Sequence, residues 1–492
     1  MTEKQKQIMS EVANDPWIKI AGIDADGVLR GKDIANSKFV KAIQSSTKAV
    51  PMCSVVFGWD IEDELFYDSS LPTSHIKFGY PDNLLKIDLN TYRRIPWEKN
   101  MPLFLGSFHD PKTLEPLNLC PRNVIASQLC KARSEHGVEP LAGIEYEFFQ
   151  YRVDRSSLSP LEQLESGSAR AQRRLTQGLF TYSLTRPAEN IAYYQTIKDT
   201  THSLDCAIDG LHTESGPVYE ASLKYDSIEK TADRGVIFKY LIKCIAPQFN
   251  ITPTFMAKPE SNMPGSSGHM HISLVDSKDR NRKVFDRQDR DENSRFKALE
   301  YVSDAGRSFL AGLIDGVPHV LPLLCPTINS YKRLGHNQHW TAESVSWGVD
   351  NRNASVRLIA GGASGGTRFE CRVPGADANA PYALAALIGC GLRGMEKKLD
   401  VAIPPLEEVE DKATPGKLGA LAGQTQGQKK GQRTLSRTLK EAVIDMTRGD
   451  SVAREILGDK FVEQFAATRM REVRCFEDIV TDWEVARYLQ RV

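Results

Sequence analysis

The segment Arg368-Phe-Glu370-Cys-Arg372 places two guanidinium groups and one carboxylate at alternate positions. Side chains two residues apart on a β-strand lie on the same face, so these three charges would share one surface. Charged side chains are rarely enclosed in a protein without a partner. Two interpretations stand side by side: an internal Arg-Glu-Arg ion pair, or a functional site that meets an anionic partner.

Three further segments repeat this alternation with other ligand types. Each alone has a structural explanation, because core histidines and solvated E-x-E strands are common. Four such faces in one chain favour a site, since bound cations and an anionic ligand would offset the cost of burying so many charged groups. The residues concerned are Glu145 and Glu147, then His269, His271 and Ser273, and then Glu214 and Glu220 around a Gly-Pro turn.

The ligand types indicate the chemistry. Carboxylates with an occasional histidine and no thiolate suit Mg²⁺ or Mn²⁺, and Mg²⁺ commonly lies between protein carboxylates and substrate phosphates. Arginines bind phosphates and carboxylates, and Arg352 and Arg357 add positive charge for a transferring phosphoryl group. The residues alone therefore predict metal-dependent phosphoryl transfer from a nucleotide to a small acid.

The elements that must position these residues are both extended and helical, which predicts an α+β fold. Short β-rich runs between residues 17 and 88 predict a small sheet with tight turns, and prolines from Pro96 to Pro121 mark a boundary. We expect an N-terminal domain at residues 1–115 and a larger domain at residues 116–492, with an exposed Gly-, Gln- and Lys-rich insertion at about 407–434. The larger domain has a strand-like run at 140–151 and helical patterns at 122–135, 227–248, 296–313 and 378–398.

Composition excludes several classes of function. Lys plus Arg and Asp plus Glu both total 63, so no global field attracts nucleic acid or an anionic membrane. The apolar stretch 380–392 is too short to span a bilayer, and the start of the chain has no apolar leader pattern, so we expect a cytoplasmic protein. The nine cysteines include no C-x-x-C pair and predict reduced, structural thiols. Gly389-Cys-Gly-Leu-Arg-Gly394 fits G-x-G-x-x-G, but it lies in a predicted helix rather than between a strand and a helix, which excludes a Rossmann site.

Five motifs in order resemble those of the glutamine synthetase family: E-x-E-F, G-x-x-G-H-x-H-x-S-L, N-S-Y-K-R-L, N-R-x-A-S-x-R and R-x-E-x-R. The resemblance runs from about Gly22 to Tyr488 and is to class I chains near the fungal and γ-glutamyl-polyamine ligase branches. It implies a small N-terminal β-grasp-like domain and a catalytic domain with a curved antiparallel sheet flanked by helices. It also implies a homo-oligomer of stacked rings, a decamer or dodecamer.

The resemblance further implies a role for each motif residue. One metal would be held by Glu147, Glu214 and Glu220, and the other by Glu145, His269 and Glu370. His271, Ser273, Arg352, Arg357 and Arg368 would bind ATP, while Gly265, Arg333 and Arg372 would bind L-glutamate. Arg352, Arg357, Glu370 and Arg372 would act in catalysis, with Mg²⁺ or Mn²⁺ as the metal. ATP would phosphorylate the glutamate side chain, and an amine or ammonia would then attack.

Departures from the family pattern concern the nucleophile and one metal site. The segment from Gly335 to His339 and Trp340 has no glutamate where ammonia-using relatives carry one, and an aromatic flap suits an organic amine. His339 is either a base or an exposed loop residue. The turn between Glu214 and Glu220 is one residue short, which would tilt Glu220. Three hypotheses remain: a glutamate-amine ligase using an organic amine or ammonia, an ordinary glutamine synthetase, and a non-catalytic structural or regulatory homologue.

Overall fold

The computed structural model describes residues 1–66, 79–153, 172–176, 178, 181–334, 341–361, 366–410 and 433–492. Their α+β fold contains a six-stranded and a ten-stranded sheet. The six strands of the first sheet are β1 (Trp17–Ile23), β2 (Leu29–Ala35), β3 (Ala49–Cys53), β4 (Asp82–Ile87), β5 (Arg93–Ile95) and β6 (Met101–His109). The ten strands of the second are β7 (Val138–Val153), β8 (Gln172–Arg174), β9 (Ile208–Thr213), β10 (Val218–Leu223), β11 (Asp226–Ser227), β12 (Ile251–Thr254), β13 (Gly268–Asp276), β14 (Trp347–Val349), β15 (Val356–Ile359) and β16 (Arg368–Cys371).

Helices cover these sheets. They are α1 (Glu3–Glu11), α2 (Asn36–Gln44), α3 (Pro121–His136), α4 (Ile191–Ser203), α5 (Ile228–Ile245), α6 (Asp304–Gly316), α7 (Leu321–Leu324), α8 (Ile328–Arg333), α9 (Ala380–Glu396), α10 (Leu406–Glu410), α11 (Leu439–Thr447), α12 (Val452–Leu457), α13 (Asp459–Glu477) and α14 (Asp482–Tyr488). In the described parts of the chain, no helix combines the length and the apolar character needed to cross a bilayer.

The first sheet has the strand order β2-β1-β6-β4-β3, with β5 pairing to β6. β1 and β2 form an antiparallel hairpin, while β1 runs parallel to β6. The hairpin closes on Asp24, whose carboxylate accepts hydrogen bonds from the backbone N–H groups of Asp26 and Val28. Asn379 donates to the carbonyls of Asp24 and Ala25, so this hairpin is tied to the start of α9. The division into two domains at residue 115 stays a prediction.

The second sheet has the order β14-β15-β16-β13-β7-β10-β9, and its pairs are antiparallel except for β14 with β15. Strand β7 is central and carries Phe148 and Tyr146 on the face that packs against α5 through Phe238. Because alternate residues of a strand face opposite ways, Glu145 and Glu147 lie on the other face of β7. The core under the sheet thus fixes which face receives the carboxylates.

Helix α9 packs closely against α6. A Cβ atom at Gly391 would lie 2.1 Å from the Phe309 ring, and one at Gly394 would lie 2.1 Å from the Ser308 carbonyl oxygen. Both glycines therefore allow two helices to approach each other. The G-x-G-x-x-G pattern lies within α9, as its position in the predicted helix indicated.

One sequence expectation needs correction. The helical pattern at 296–313 becomes a helix only from Asp304, because Ser303 caps α6 by accepting a hydrogen bond from the Gly306 N–H. The exposed insertion expected at about 407–434 stays a prediction: at its ends α10 packs on β14 and Thr434 pairs with Ser344. Residues 411–432 lie outside the described residues.

All nine cysteines are free. Five of them are buried, and burial raises the pKa of thiols such as Cys206 and Cys371 to about 12. A thiol with such a pKa stays protonated and unreactive at neutral pH. That these thiols are reduced and structural stays a prediction.

Candidate active site

The register of the second sheet brings the alternating residues into rows across the strands. Residues that lie opposite each other on neighbouring strands share a face, so segments far apart in the chain contribute to one surface. The cross-strand pairs are Glu145 with His269, Glu147 with Glu220, Glu220 with His212, His271 with Glu370, and Glu370 with Arg357.

The first cluster consists of Glu145, His269 and Glu370, whose ligand atoms all lie within 4.8 Å of one another. Glu370 has no exposed surface and His269 is buried, and the His269 atom that approaches the carboxylates is Nδ1, 3.7 Å from Glu145 and 3.4 Å from Glu370. A bound cation would offset the cost of enclosing these two carboxylates. Two carboxylates with one imidazole form a donor set that fits Mg²⁺ or Mn²⁺.

Arginines hold the carboxylate of Glu370 from both sides. Arg372 Nη1 lies 2.5 Å from Oε1 and Arg357 Nη1 lies 3.1 Å from Oε2. Burial alone would raise the pKa of Glu370, but His269 and Arg372 lower it below its ordinary value. The expected Arg-Glu-Arg ion pair therefore forms, but Glu370 pairs with Arg372 and Arg357 rather than with Arg372 and Arg368. Arg368 is exposed and donates from Nε to His271 Nδ1 at 3.4 Å.

Glu145 is held as a carboxylate by two histidines. Its oxygens lie 3.7 Å from His269 Nδ1 and 3.2 Å from His271 Nε2. Burial alone would raise the pKa of Glu145, but its close approach to His269 and His271 lowers it well below its ordinary value. The group is therefore available as an anionic ligand over the whole physiological pH range.

The second cluster consists of His212, Glu214 and Glu220, with ligand atoms again within 4.8 Å of one another. His212 lies between the carboxylates, with Nδ1 3.3 Å from Glu214 and Nε2 3.2 Å from Glu220. The predicted set named Glu147 in place of His212. Glu147 lines the same cavity outside this tight cluster, and its Oε2 accepts a hydrogen bond of 2.6 Å from the Ser267 N–H.

Negative charge accumulates at the second cluster. Burial, followed by repulsion from Glu147 and Glu220, raises the pKa of Glu214 to about 7. The hydrogen bond to Glu220 is the main cause that raises the pKa of His212. A bound cation would relieve the repulsion between these carboxylates, so this donor set also fits a divalent metal.

The shortened turn keeps Glu220 in place. The Glu214 N–H donates to the Val218 carbonyl at 2.8 Å, and Gly216 turns the chain with a φ of +73°. A Cβ atom at Gly216 would lie 2.0 Å from Met263 Cε, so no larger residue fits there without rearrangement. The missing residue is thus accommodated within the turn, and Glu220 stays in register with Glu147.

Two adjoining cavities receive the site residues. The larger, of about 770 Å³, is lined by both groups of carboxylates and by four arginines, Arg333, Arg352, Arg357 and Arg372. The smaller, of about 460 Å³, contains His271, Ser273 and Arg368. Glu145 and Ser222 line both cavities. An anionic ligand in one cavity and a phosphate-bearing ligand in the other would therefore meet across Glu145.

Gly265 and Arg333 lie together at the end of the larger cavity. Arg333 is almost fully buried, and it donates to the carbonyls of Arg372 and Val373 and to Ser267 Oγ at 2.8 to 3.1 Å. A Cβ atom at Gly265 would lie 2.8 Å from Arg333 Cγ, so only glycine fits. Arg333 thus connects the segments that adjoin β13 and β16, two of the three strands that carry the first cluster.

Two residues of the site were missed by the sequence interpretation. His212 alternates with Glu214 in Gly210-Leu-His-Thr-Glu, so the signal was present but unassigned. Tyr182 contacts His212 with a ring separation of 4.6 Å, and nothing in its surrounding sequence marked it. His339 and Trp340 lie outside the described residues. Asp60 lies near Arg471 Nε at 3.4 Å and does not line either of these cavities.

Carboxylate and imidazole clusters beside several arginines, on the concave part of an α+β fold, define a metal-dependent enzyme acting on phosphate-bearing anions. Residues 118–488 match the family model described as glutamine synthetase, catalytic domain. The chain belongs to the glutamine synthetase family. Its class of activity is that of an ATP-dependent glutamate-amine ligase.

Relatives match nearly the whole chain. A type-1 glutamine synthetase 2 from Dictyostelium discoideum is 36% identical over 98% of this chain and 85% of its own. A glutamate-isopropylamine ligase from a Pseudomonas species is 31% identical over 99% of both chains. A solved GmaS complex with ADP has a TM-score of 0.75 at 21% identity, covering 99% of this chain and 100% of its own, and supports the fold.

Proposed function

We propose that this enzyme joins the side-chain carboxyl group of L-glutamate to an organic amine. The terminal phosphoryl group of ATP would be transferred to that carboxylate, giving γ-glutamyl phosphate, and the amine nitrogen would then displace phosphate to form a γ-glutamyl amide. The observation that carries this proposal is the single cavity that joins two carboxylate-imidazole clusters to four arginines. Two anions that repel each other can be brought together in such a place.

In this proposal the first cluster, Glu145, His269 and Glu370, holds one divalent metal, Mg²⁺ or Mn²⁺. Glu147, Glu214 and Glu220 hold the second, with His212 as an additional ligand or as a partner that orients the carboxylates. Bound metal ions supply charge neutralisation for the phosphoryl oxygens and a template for the reacting groups. The pairing of the two histidines with Glu145 keeps that carboxylate ionised and oriented in the absence of other ligands.

The arginines divide between phosphate and glutamate. Arg352 is exposed to the cavity and makes no ion pair with the described residues, which leaves its guanidinium for a phosphate. Arg357 and Arg368 would serve the same phosphates, with His271 and Ser273 facing the nucleotide in the smaller cavity. Arg372 would bind glutamate beside Gly265, and Arg333 would contribute a remaining donor while bracing Arg372.

The preference for an organic amine is supported by the surface around the second cluster. Tyr182 lines the larger cavity and is about 65% exposed although its ring contacts His212. This aromatic ring beside the second cluster would cover the hydrocarbon part of an amine while its nitrogen faces Glu214. The 31% identical relative that is named for isopropylamine is consistent with this preference.

A panel of amines tests the proposal. The full-length protein is incubated with ATP, L-glutamate and Mg²⁺ or Mn²⁺ together with ammonium, hydroxylamine, isopropylamine, a polyamine or an aromatic amine, and γ-glutamyl amides are identified by mass. We expect at least one organic amine to give a higher kcat/KM than ammonium. Glutamine formed with ammonium alone would establish an ordinary glutamine synthetase instead. ATP left unconsumed with every amine would establish a non-catalytic homologue.

A matched pair of variants locates the amine site. Tyr182→Ala removes the ring and should raise the KM for the organic amine by about tenfold, the equivalent of about 1.4 kcal/mol of lost apolar contact. Tyr182→Phe keeps the ring and should leave that KM nearly unchanged. Equal KM changes for ammonium and for the organic amine in Tyr182→Ala would remove Tyr182 from amine selection.

We also propose that the enzyme is a homo-oligomer of stacked rings, a decamer or dodecamer. Family membership supports this proposal. Sedimentation velocity distinguishes the two ring sizes from a monomer of 54.9 kDa. A monomer that is fully active at assay concentration would contradict it.

A further inference from the structure

A third cavity, of about 850 Å³, lies away from the catalytic residues. Its walls come from the first sheet and the loop that follows β6, from α3, and from the start of α13. The volume falls in the range of small-molecule sites, about 300 to 1,000 Å³. None of the residues assigned above to metal, nucleotide or glutamate lines it.

Two amide side chains in this cavity are buried and unused. Asn83 on β4 is 5% exposed and Gln464 on α13 is 6% exposed. Neither side chain hydrogen-bonds within the part of the chain that the structure describes. The other amides in the wall are occupied, since Asn123 donates to the carbonyls of Phe108 and Leu117, and Gln128 donates to that of Ile456. The amide atoms of Asn83 and Gln464 are not among the fully enclosed atoms that lack a partner, so they keep accessible surface and are available to a ligand in the cavity.

The rim of the cavity adds one free charge of each sign. Lys460 and Glu115 are exposed, and neither forms an ion pair with the described residues. The nearby carboxylate of Asp110 is already occupied, because it accepts hydrogen bonds from the backbone N–H groups of Lys112 and Thr113 at 2.8 Å. Lys460 and Glu115 are thus available for the carboxylate and the ammonium group of an α-amino acid.

The inner wall discriminates between possible side chains of such a ligand. Asn83 and Gln464 each offer N–H donors and a carbonyl acceptor, which an amide can match with its own acceptor and donors. A carboxylate offers only acceptors and would leave both amide oxygens unpaired. Phe57 and Phe461, both buried in the same wall, would contact the methylene groups between the two ends of the ligand.

We propose that this third cavity binds a zwitterionic α-amino acid that carries a side-chain amide. Glutamine and the γ-glutamyl amides belong to this class, so the cavity is a second binding site for the enzyme's own type of product. That last identification rests on the proposed function, whereas the recognition of the amide rests on Asn83 and Gln464.

Equilibrium dialysis of radiolabelled L-glutamine against the full-length protein tests the proposal. Mg²⁺ and a non-hydrolysable ATP analogue are present throughout, and L-glutamate is added only as the competitor. We expect one glutamine per chain whose binding depends on Gln464, and about tenfold weaker competition for it by L-glutamate, the equivalent of one lost hydrogen bond. No bound glutamine, or equal competition by glutamate, would overturn the proposal.

Variants assign the binding to these residues. Gln464→Leu and Asn83→Leu should each weaken glutamine binding by about tenfold. Lys460→Gln tests the carboxylate contact at an exposed position, where folding is not at risk, and should also weaken binding. Gln248→Leu, at an exposed glutamine outside the cavity, is the matched control and should bind like the wild type.

Wild-type binding in both Gln464→Leu and Lys460→Gln would refute the assignment. The test also separates the two proposals. Failure to form any γ-glutamyl amide would overturn the proposed function while leaving glutamine binding measurable, and loss of binding would leave the amine panel unaffected.

Discussion

Replacing Glu370 by Gln tests whether this residue is a metal ligand or only the centre of an ion pair. The carboxylate is fully buried between Arg357 and Arg372 and belongs to the first cluster. Glutamine keeps the volume and one acceptor oxygen, so we expect a loss of stability below the roughly 3 to 5 kcal/mol of a broken buried ion pair. A value of about 2 kcal/mol corresponds to the weakening of one charged hydrogen bond.

The effect on metal binding should be larger than the effect on stability. Glu370→Gln removes one of the two negative charges in the first cluster. Changes that only reorient a metal ligand reduce affinity by about 10- to 100-fold, so loss of the ligand charge itself should reduce Mn²⁺ affinity at that site by at least 100-fold. Turnover should fall below detection, because the phosphoryl oxygens would lose their neutralising cation.

Titration calorimetry with Mn²⁺ measures this outcome. The wild type should bind two Mn²⁺ ions per chain and Glu370→Gln one, with the second cluster unaffected. Arg368→Gln is the matched control on the same strand: Arg368 is exposed and does not contact Glu370, so its loss should preserve Mn²⁺ binding and raise the KM for ATP. Mn²⁺ affinity of Glu370→Gln within about threefold of the wild type, a free-energy difference of only about 0.6 kcal/mol, would refute the metal assignment.

Three further predictions concern stability and pH. Burial lowers the pKa of Lys239 from 10.5 to about 7, so between these pH values the unfolded chain holds one proton more than the folded chain, and the stability of the wild type rises with pH. Lys239→Met removes this titration and should therefore stabilise the protein most at pH 7. Calorimetry should show the stability advantage of the variant shrinking by about 1.4 kcal/mol per pH unit toward pH 9. A pH-independent difference would contradict this. Gly391→Ala places a Cβ atom against the Phe309 ring and should lower the free energy of unfolding, measured in urea, by about 1 to 3 kcal/mol. The ATP affinity of the folded variant should be unchanged, and a loss of ATP affinity would indicate that α9 binds the nucleotide. In Arg333→Lys the lysine cannot form the three hydrogen bonds of Arg333, so kcat and the thermal midpoint should both fall. A variant in which only the KM for glutamate rises would show that Arg333 acts only in binding.

The sequence allowed the types and faces of the site residues to be predicted, because strand alternation is a local property with a period of two. The α+β class and the family followed from the same motifs. Glu145, His269 and Glu370 do meet in one cluster, as the resemblance implied. The sequence pattern was sufficient to predict a shared face wherever the residues lie on the same strand.

Cross-strand register could not be read from the sequence. Arg357 rather than Arg368 joins Arg372 at Glu370, because β15 pairs antiparallel with β16 and places Arg357 opposite the carboxylate. His212 enters the second cluster for the same reason, since β9 pairs with β10 opposite Glu220. The register of neighbouring strands depends on packing across the whole sheet, so it cannot be predicted from a short motif.

Strand β7 supplies a carboxylate to each side of the catalytic cavity, which has a consequence for how the chain assembles. A slip of β7 by one residue would turn Tyr146 toward the cavity and withdraw Glu145 and Glu147 together. Both proposed metal positions would be lost at once, so a chain paired in the wrong register would be inert rather than altered in its specificity. A divalent ion at the proposed sites would bind only the correctly paired chain and would therefore favour that chain by mass action during folding.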